Sequence, residues 1–172
     1  MKRVFIICGP ESTGNRLLAA ILLRAGCWGS ASHNQPSLSD FPDQANNIVW
    51  IRHFLDEFLI DLIKGFEEIV LVIPIREPEA HTRSMVRHGH AKTLDEARKK
   101  RLDVIATNIA VGLKNGLNVE ILTYEGLSES SLKLWLERFG LRTDNLDEPI
   151  MSPPFQNLLP TIANQNAKHY EE

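Results

Sequence analysis

The chain has few of the residues and runs that mark specialised classes of protein. It contains 172 residues with only two cysteines. Cys8 and Cys27 are too few for a disulfide framework, and their spacing is not that of a metal site. The formal net charge is -3, so no basic excess favours binding to nucleic acid. No segment approaches the ~18 consecutive apolar residues of a membrane-spanning helix. What remains is the profile of an ordinary globular domain.

The first residues of the chain do not resemble a secretory signal peptide. Met1, Lys2 and Arg3 precede only a short apolar run, whereas a signal peptide has a longer apolar segment and a small-residue cleavage site. We therefore expect a cytoplasmic, reducing location in which Cys8 is a small core residue. The composition, 43% hydrophobic and 24% charged, is that of a soluble protein. The length predicts one domain over residues 1–172, with an irregular tail from about residue 149 that contains several prolines.

Apolar runs predict four strands, and helical patterns lie between or after them. The runs are residues 4–8, 48–51, 69–75 and 119–122, and the helical patterns cover about 15–26, 54–66, 79–89, 94–115 and 129–140. This alternation predicts a three-layer α/β fold, in which a mainly parallel sheet of about four to five strands is flanked by helices on both faces. The third run is apolar at nearly every position, as a central parallel strand should be. Polar residues at 29–47 predict a long surface loop.

A glycine-containing loop joins the first predicted strand to the first predicted helix. Gly9 ends the apolar run, and Gly14 follows five positions later, just before the helical pattern. A strand, loop and helix in this order can surround a phosphate with backbone N–H groups at the helix N-terminus. Asn15 stands where a nucleoside-triphosphatase loop has its lysine, and Arg16 where it has the Ser or Thr that binds magnesium. We therefore expect a loop that binds an anion but does not hydrolyse ATP.

A second polar motif follows the third predicted strand. Arg76 comes directly after the apolar run, and Ser84 follows eight residues later in a predicted helix. Arg76 would lie at the carboxyl end of a central strand, where open α/β sheets bind their ligands. Its planar guanidinium suits a phosphate, and Ser84 could add a hydroxyl donor. The alternative is a surface arginine that pairs with Glu77 or Glu79.

The two motifs together resemble the sulfotransferases that use 3′-phosphoadenosine 5′-phosphosulfate (PAPS), a family with a P-loop-like fold. The first loop of that family grips the 5′-phosphosulfate, and Pro10, Ser12 and Gly14 resemble it, with one extra residue before the glycine. Arg76 and Ser84 match the family's 3′-phosphate signature in residue type and in spacing.

A third similarity is the Tyr-Glu-Gly-Leu segment at residues 124–127, which follows a predicted strand as a similar segment does in the family. The resemblance covers residues 1 to about 140. It implies transfer of a sulfuryl group from PAPS to a hydroxyl or amine of a small-molecule or glycan acceptor, with no metal ion. The donor-binding residues that it implies are Pro10, Ser12, Thr13, Gly14, Asn15, Arg16, Arg76 and Ser84.

Two residues are candidates for the base that accepts the acceptor's proton. In cytosolic members of the family the base is a histidine at a strand end upstream of the 3′-phosphate arginine. His53 lies in such a place, 23 residues before Arg76. Glu11 is a rival, because other branches of the family use a carboxylate, although it stands where the family has a basic residue. The alternatives are that His53 only begins a helix and that Glu11 only compensates a helix dipole.

Residues 83–101 form a basic segment that could face an acidic acceptor. Interspersed Asp95 and Glu96 favour a solvated helix face instead, and Thr93 with Glu96 predicts a helix start. No third ligand stands at a recognisable spacing from its histidines, so we expect no metal site. The basic side chains are Arg83, Arg87, His88, His90, Lys92, Arg98, Lys99, Lys100 and Arg101.

Two other functions are consistent with the same motifs. A small-molecule or nucleotide kinase would share the fold, but the chain lacks the loop lysine, the hydroxyl residue after it and an acidic residue closing the third strand. A nucleotide-binding protein without catalytic activity would account for Glu11 in the loop. It would also account for the lack of the glycine-rich segment that closes over the nucleotide in cytosolic sulfotransferases.

Overall fold

The computed structural model describes residues 1–31, 43, 45–144 and 146. The strands are β1 (Arg3–Ile7), β2 (Trp28–Gly29), β3 (Asn47–Ile51), β4 (Glu68–Ile75) and β5 (Asn118–Thr123). The helices are α1 (Asn15–Arg24), α2 (Glu57–Ile63), α3 (Pro78–Arg87), α4 (Leu94–Lys114) and α5 (Glu129–Arg138). The predicted tail from about residue 149, and positions 32–42 and 44 of the predicted loop, lie outside the described residues. No helix in the described ranges is long and apolar enough to cross a membrane.

The strands form one parallel sheet in the order β2-β3-β1-β4-β5. β1 is central, and its last residue, Ile7, is in register with Ile51 of β3 and Val72 of β4. All of β1 and the middle of β4 are buried, because helices cover both faces of the sheet. The α/β fold predicted from the alternation is confirmed. The short β2 was not predicted, since a two-residue strand carries no periodic signal.

Alternate residues of each strand face two different helical layers. Val4 and Ile6 of β1 belong to an apolar cluster with residues of α2 and α4, while Phe5 and Ile7 belong to a second cluster with residues of α1 and α5. The structure therefore has three layers, as the sequence predicts. Helices α3 and α4 pack against each other, around a smaller cluster of Met85, Ala91 and Ala97.

Side-chain caps fix where two of the helices begin. Asp56 accepts a hydrogen bond from the N–H of Leu59 at 2.8 Å, so α2 begins at Glu57, three residues later than its apolar pattern. Thr93 accepts from the N–H of Glu96 at 3.1 Å and begins α4 where the sequence predicts. In a complete capping box the Glu96 carboxylate would accept from the N–H of Thr93. Here it accepts from the N–H of the preceding residue, Lys92, instead.

The connections from the two central strands leave to opposite faces of the sheet. The chain leaves β1 through α1 on one face of the sheet, and it leaves β4 through α3 and α4, of which α4 covers the opposite face. Adjacent parallel strands whose connections leave to opposite faces leave a gap between their carboxyl ends, where open α/β sheets bind ligands. The loop after β1 and Arg76 after β4 both lie at this edge.

Candidate functional site

The loop after β1 is held in shape by its own side chains. The Asn15 amide accepts from the N–H of Gly9 at 3.1 Å and donates to the carbonyl oxygens of Gly9 at 2.9 Å and Pro10 at 3.3 Å. Thr13 Oγ1 donates to the Pro10 carbonyl at 2.5 Å and is buried. Asn15 and Thr13, both expected to contact the donor, therefore use these side-chain groups inside the loop. A Cβ on Gly9 would lie 2.5 Å from Asn15 Oδ1, so this closed shape requires glycine there.

The loop presents the N-terminus of α1 without a side-chain cap. Ser12 and Gly14 have φ angles of 66° and 91°, in the left-handed region that favours glycine. Gly14 is the N-cap residue and has no side chain to accept from the first-turn N–H groups, and that turn contains no acidic residue. Such an end attracts anions through its N–H groups and the helix dipole. Arg16, in the same turn, is partly buried, and burial lowers the pKa of its guanidinium.

Tyr124 brings the two sequence motifs together. It begins a short 3-10 turn, Tyr124–Gly126, after β5. A Cβ on Gly14 would lie 3.0 Å from Tyr124 Cδ2, so the ring lies against the loop. The Arg76 guanidinium carbon lies 5.1 Å from the centroid of the same ring. The ring is thus in contact with the loop and also within cation–π distance of Arg76.

Arg76 is only partly neutralised. Its Nε lies 3.7 Å from Glu125 Oε1. The same Nε is buried and has no hydrogen-bond partner among the described residues. Neither neighbour proposed as an alternative partner pairs with it, because Glu77 caps α3 and Glu79 pairs with Arg83 at 3.2 Å. An arginine held by one long ion pair can take a further anion.

Ser84 lies on α3 but is engaged by a neighbour on the same helix. Its Oγ is 3.3 Å from His88 Nδ1, and its carbonyl accepts from that nitrogen at 2.9 Å. His81, one turn earlier, is fully buried and donates from Nε2 to the Glu11 carbonyl at 2.6 Å. Helix α3 therefore packs against the loop through His81, and the hydroxyl of Ser84 is already paired.

His81 is a neutral, buried imidazole that sequence reasoning missed. Burial is the main cause that lowers its pKa, the hydrogen bond to Glu11 opposes this, and the charges of Arg101 and Arg76 lower it further. Its Nδ1 and the Nε of Arg101 are buried without hydrogen-bond partners in the part of the chain that is described. Arg101 was predicted to belong to a solvated face, but it is partly buried. The pattern of charged residues along α4 does not indicate that Arg101 is partly buried.

The two candidate bases, His53 and Glu11, lie together. Glu11 Oε1 is 3.9 Å from His53 Nε2, and Glu11 Oε2 is 2.7 Å from His90 Nδ1. The three side chains come from separate places in the sequence: the loop after β1, the end of β3 and the turn after α3. From the sequence, His90 was placed only in the basic segment of residues 83–101 and was not considered as a base. The sequence feature that could have drawn attention to His90 is the preceding glycine, because glycine commonly follows the end of a helix. In the structure Gly89 has a φ of 73° and reverses the direction of the chain after α3.

A buried asparagine on α4 holds the ends of two strands. Asn108 donates to the carbonyl oxygens of Cys8 at 2.9 Å and His53 at 3.1 Å, and it accepts from the N–H of Leu55 at 2.9 Å. It is fully buried, so its three hydrogen bonds replace water contacts that backbone groups cannot make there. Cys8 itself is buried, which raises the pKa of its thiol to about 12; it is the small core residue that the sequence predicts.

Within the described ranges, no group of three or more His, Cys, Asp or Glu side chains could hold a metal ion. Comparison with protein-family models matches no family, and a search of curated proteins finds no match either. Three features lie at the carboxyl edge of the sheet: an uncapped helix N-terminus, an incompletely paired arginine and a carboxylate with two histidines.

Proposed function

We propose that this protein is a sulfotransferase that moves a sulfuryl group from PAPS to a hydroxyl or amine acceptor. The observation that carries the proposal is the arrangement around Tyr124, whose ring lies against Gly14 and 5.1 Å from the guanidinium carbon of Arg76. Two features that attract anions thus share one aromatic neighbour. A ligand with two anionic groups joined by a nucleoside fits that arrangement, because each group would meet its own cationic feature.

The proposed donor site divides between the two features. The N–H groups at the start of α1, with Arg16 in the first turn, would bind the 5′-phosphosulfate. Arg76 would bind the 3′-phosphate, with its Nε directed to the ligand in place of the long pair to Glu125. Ser84 can join only if its hydroxyl leaves His88. The amide of Asn15 and the hydroxyl of Thr13 would shape the loop rather than contact the donor.

The proposed reaction needs one proton acceptor and a stabilised leaving group. The acceptor oxygen or nitrogen forms a bond to sulfur as its proton passes to a base beside the loop, where the two candidates predicted from the sequence, Glu11 and His53, lie together. The bond between sulfur and the bridging oxygen breaks, and its electron pair stays on the adenosine bisphosphate. The α1 N–H groups and the cationic side chains would stabilise that negative charge.

Calorimetry separates this function from the kinase and from a protein with no nucleotide site. We expect 3′,5′-adenosine bisphosphate to bind more tightly than ATP with magnesium, since Asn15 replaces the loop lysine and is bonded within the loop. Arg76→Ala should weaken the bisphosphate by about 10- to 100-fold, because a hydrogen bond to a charged group is worth about 1.5–3 kcal/mol. Arg83→Ala is the matched control, an exposed arginine of α3 that pairs with Glu79.

Three results would contradict the proposal. They are no binding of the bisphosphate, tighter binding of ATP with magnesium, and equal effects of Arg76→Ala and Arg83→Ala. A fourth result would favour the non-catalytic binding protein. In that case the bisphosphate binds, but the protein does not convert PAPS to bisphosphate with water or with phenolic and amine acceptors.

A further inference from the structure

The carboxylate of Glu11 has two histidine neighbours at unequal distances. Its Oε2 lies 2.7 Å from His90 Nδ1, within hydrogen-bond reach, whereas its Oε1 lies 3.9 Å from His53 Nε2. The side chain of His90 is 34% exposed and that of His53 is 60% exposed. His90 is therefore both the closer and the better-shielded partner of the carboxylate.

The backbone holds His90 in this position from both sides. Its N–H donates to the Met85 carbonyl at 2.9 Å, which closes the end of α3 after Gly89. Its carbonyl accepts from Lys100 Nζ of α4 at 2.8 Å. A histidine fixed at its backbone loses little freedom when it must hold one geometry during a reaction.

The orientation of the ring assigns its two nitrogens different tasks. Nδ1 faces Glu11, so a proton on Nδ1 is favoured by the carboxylate, and Nε2 then carries a free lone pair. Nε2 has no hydrogen bond to any other described residue. When Nε2 takes a proton, the negative charge of Glu11 stabilises the imidazolium. A carboxylate that orients a histidine in this way is a recurring device of general-base catalysis.

We propose that His90, oriented by Glu11, is the general base of the transfer, an inference that rests on the function proposed above. In the step, the acceptor's O–H or N–H proton passes to His90 Nε2. The freed electron pair forms the new bond to sulfur, and the bond from sulfur to the bridging oxygen breaks toward the bisphosphate. His53, at 3.9 Å from the carboxylate and more exposed, is the less favoured candidate. Other titratable groups near His90 among the described residues include His88, whose ring centroid is 6.2 Å away, and Lys100.

The test combines a rate with a spectroscopic signature. Full-length protein is incubated with PAPS and either water or 4-nitrophenol as the acceptor, and release of 3′,5′-adenosine bisphosphate is measured across pH. His90→Gln keeps a polar group near Glu11 but cannot accept a proton, so we expect a loss of about 10²- to 10⁴-fold. Glu11→Gln should also lower the rate, because the imidazolium that forms on His90 loses its neighbouring carboxylate. His53→Gln should cost less than His90→Gln, and Lys99→Gln, on an exposed part of α4, is the control.

Nitrogen chemical shifts of the histidine rings provide the signature that a structural role would not give. In the bisphosphate complex, the His90 signal, assigned by its loss in His90→Gln, should show Nδ1 protonated and Nε2 bare, and Glu11→Gln should change it. Unaltered bisphosphate binding in calorimetry would confirm that each variant is folded.

Each outcome decides the proposal. Two results would overturn the assignment of the base while the sulfotransferase function stands. One is a wild-type His90 whose Nδ1 carries no proton, and the other is a His90→Gln variant that releases bisphosphate from PAPS at the wild-type rate. If the bisphosphate binds but the protein releases none from PAPS, the transfer reaction and the base are both overturned. Failure of the bisphosphate to bind would instead overturn the donor site.

Discussion

Asn108 offers the sharpest test of how the site is held together. Asn108→Ala removes three hydrogen bonds, at 2.9, 2.9 and 3.1 Å, from a fully buried position. A hydrogen bond contributes about 1 kcal/mol net, which gives about 3 kcal/mol in total. The carbonyl of His53 belongs to an exposed residue and can regain water, which lowers the expected loss to about 2–3 kcal/mol. In a chain of this size, that loss corresponds to a fall in Tm of about 5–10 °C.

The assay is urea unfolding with a matched asparagine on the same helix. Asn115 makes one hydrogen bond, from Nδ2 to the Val111 carbonyl at 2.9 Å, at the partly buried end of α4. Asn115→Ala should therefore cost about 1 kcal/mol or less.

A second substitution separates hydrogen bonding from packing. Asn108→Asp keeps the size of the side chain, but a carboxylate cannot donate to the carbonyl oxygens of Cys8 and His53 and is costly to bury. We expect it to be at least as destabilising as Asn108→Ala near pH 7. Equal stability of Asn108→Ala and Asn115→Ala, or a fully stable Asn108→Asp, would refute the reasoning.

Two further predictions concern the loop and its partner on α3. Gly14→Ala should destabilise more than Gly116→Ala: both positions have positive φ, at 91° and 67°, but only at Gly14 does the new Cβ meet another group, Tyr124 Cδ2 at 3.0 Å. Left-handed strain alone is about 1–2 kcal/mol, so equal losses in urea unfolding would contradict the close contact with Tyr124. The lowered pKa of His81 predicts that stability falls as pH drops below about 6.5, because the unfolded chain then binds a proton that the folded chain resists. His81→Gln should flatten this part of the stability profile between pH 7.5 and 5, and a slope equal to that of wild type would show that another group is responsible.

The main elements of the fold could be predicted because their signals are local. The apolar run of β4 and the helical patterns of α1, α3, α4 and α5 lie within one or two residues of their observed bounds at most ends. The parallel arrangement follows from strands that alternate with helices. The order of the strands does not follow, because it depends on which pairs bury the most surface once all helices have packed.

The sequence points to parts of the candidate site only where the signal lies within one stretch of the chain. Arg76 and the loop after β1 were identified, since a strand end followed by a polar motif is visible in one stretch of sequence. His90 and His81 were not singled out because their contacts are with Glu11, about 70 or more positions away. Asn108 was missed for the same reason: its partners are the ends of two strands.

Glu11 illustrates why the charge of a binding loop cannot be judged from the loop alone. Taken as sequence, an acid in an anion-binding loop opposes the ligand, and it weakened the resemblance to a sulfotransferase. In the structure its carboxylate faces two histidines, and its carbonyl accepts from a third. The Glu11 carboxylate therefore faces the imidazole rings of His53 and His90. The uncapped N-terminus of α1 begins later in the loop, at Asn15. The carboxylate of Glu11 is thus partnered by side chains from two other elements, and the sequence of the loop alone does not show these partners.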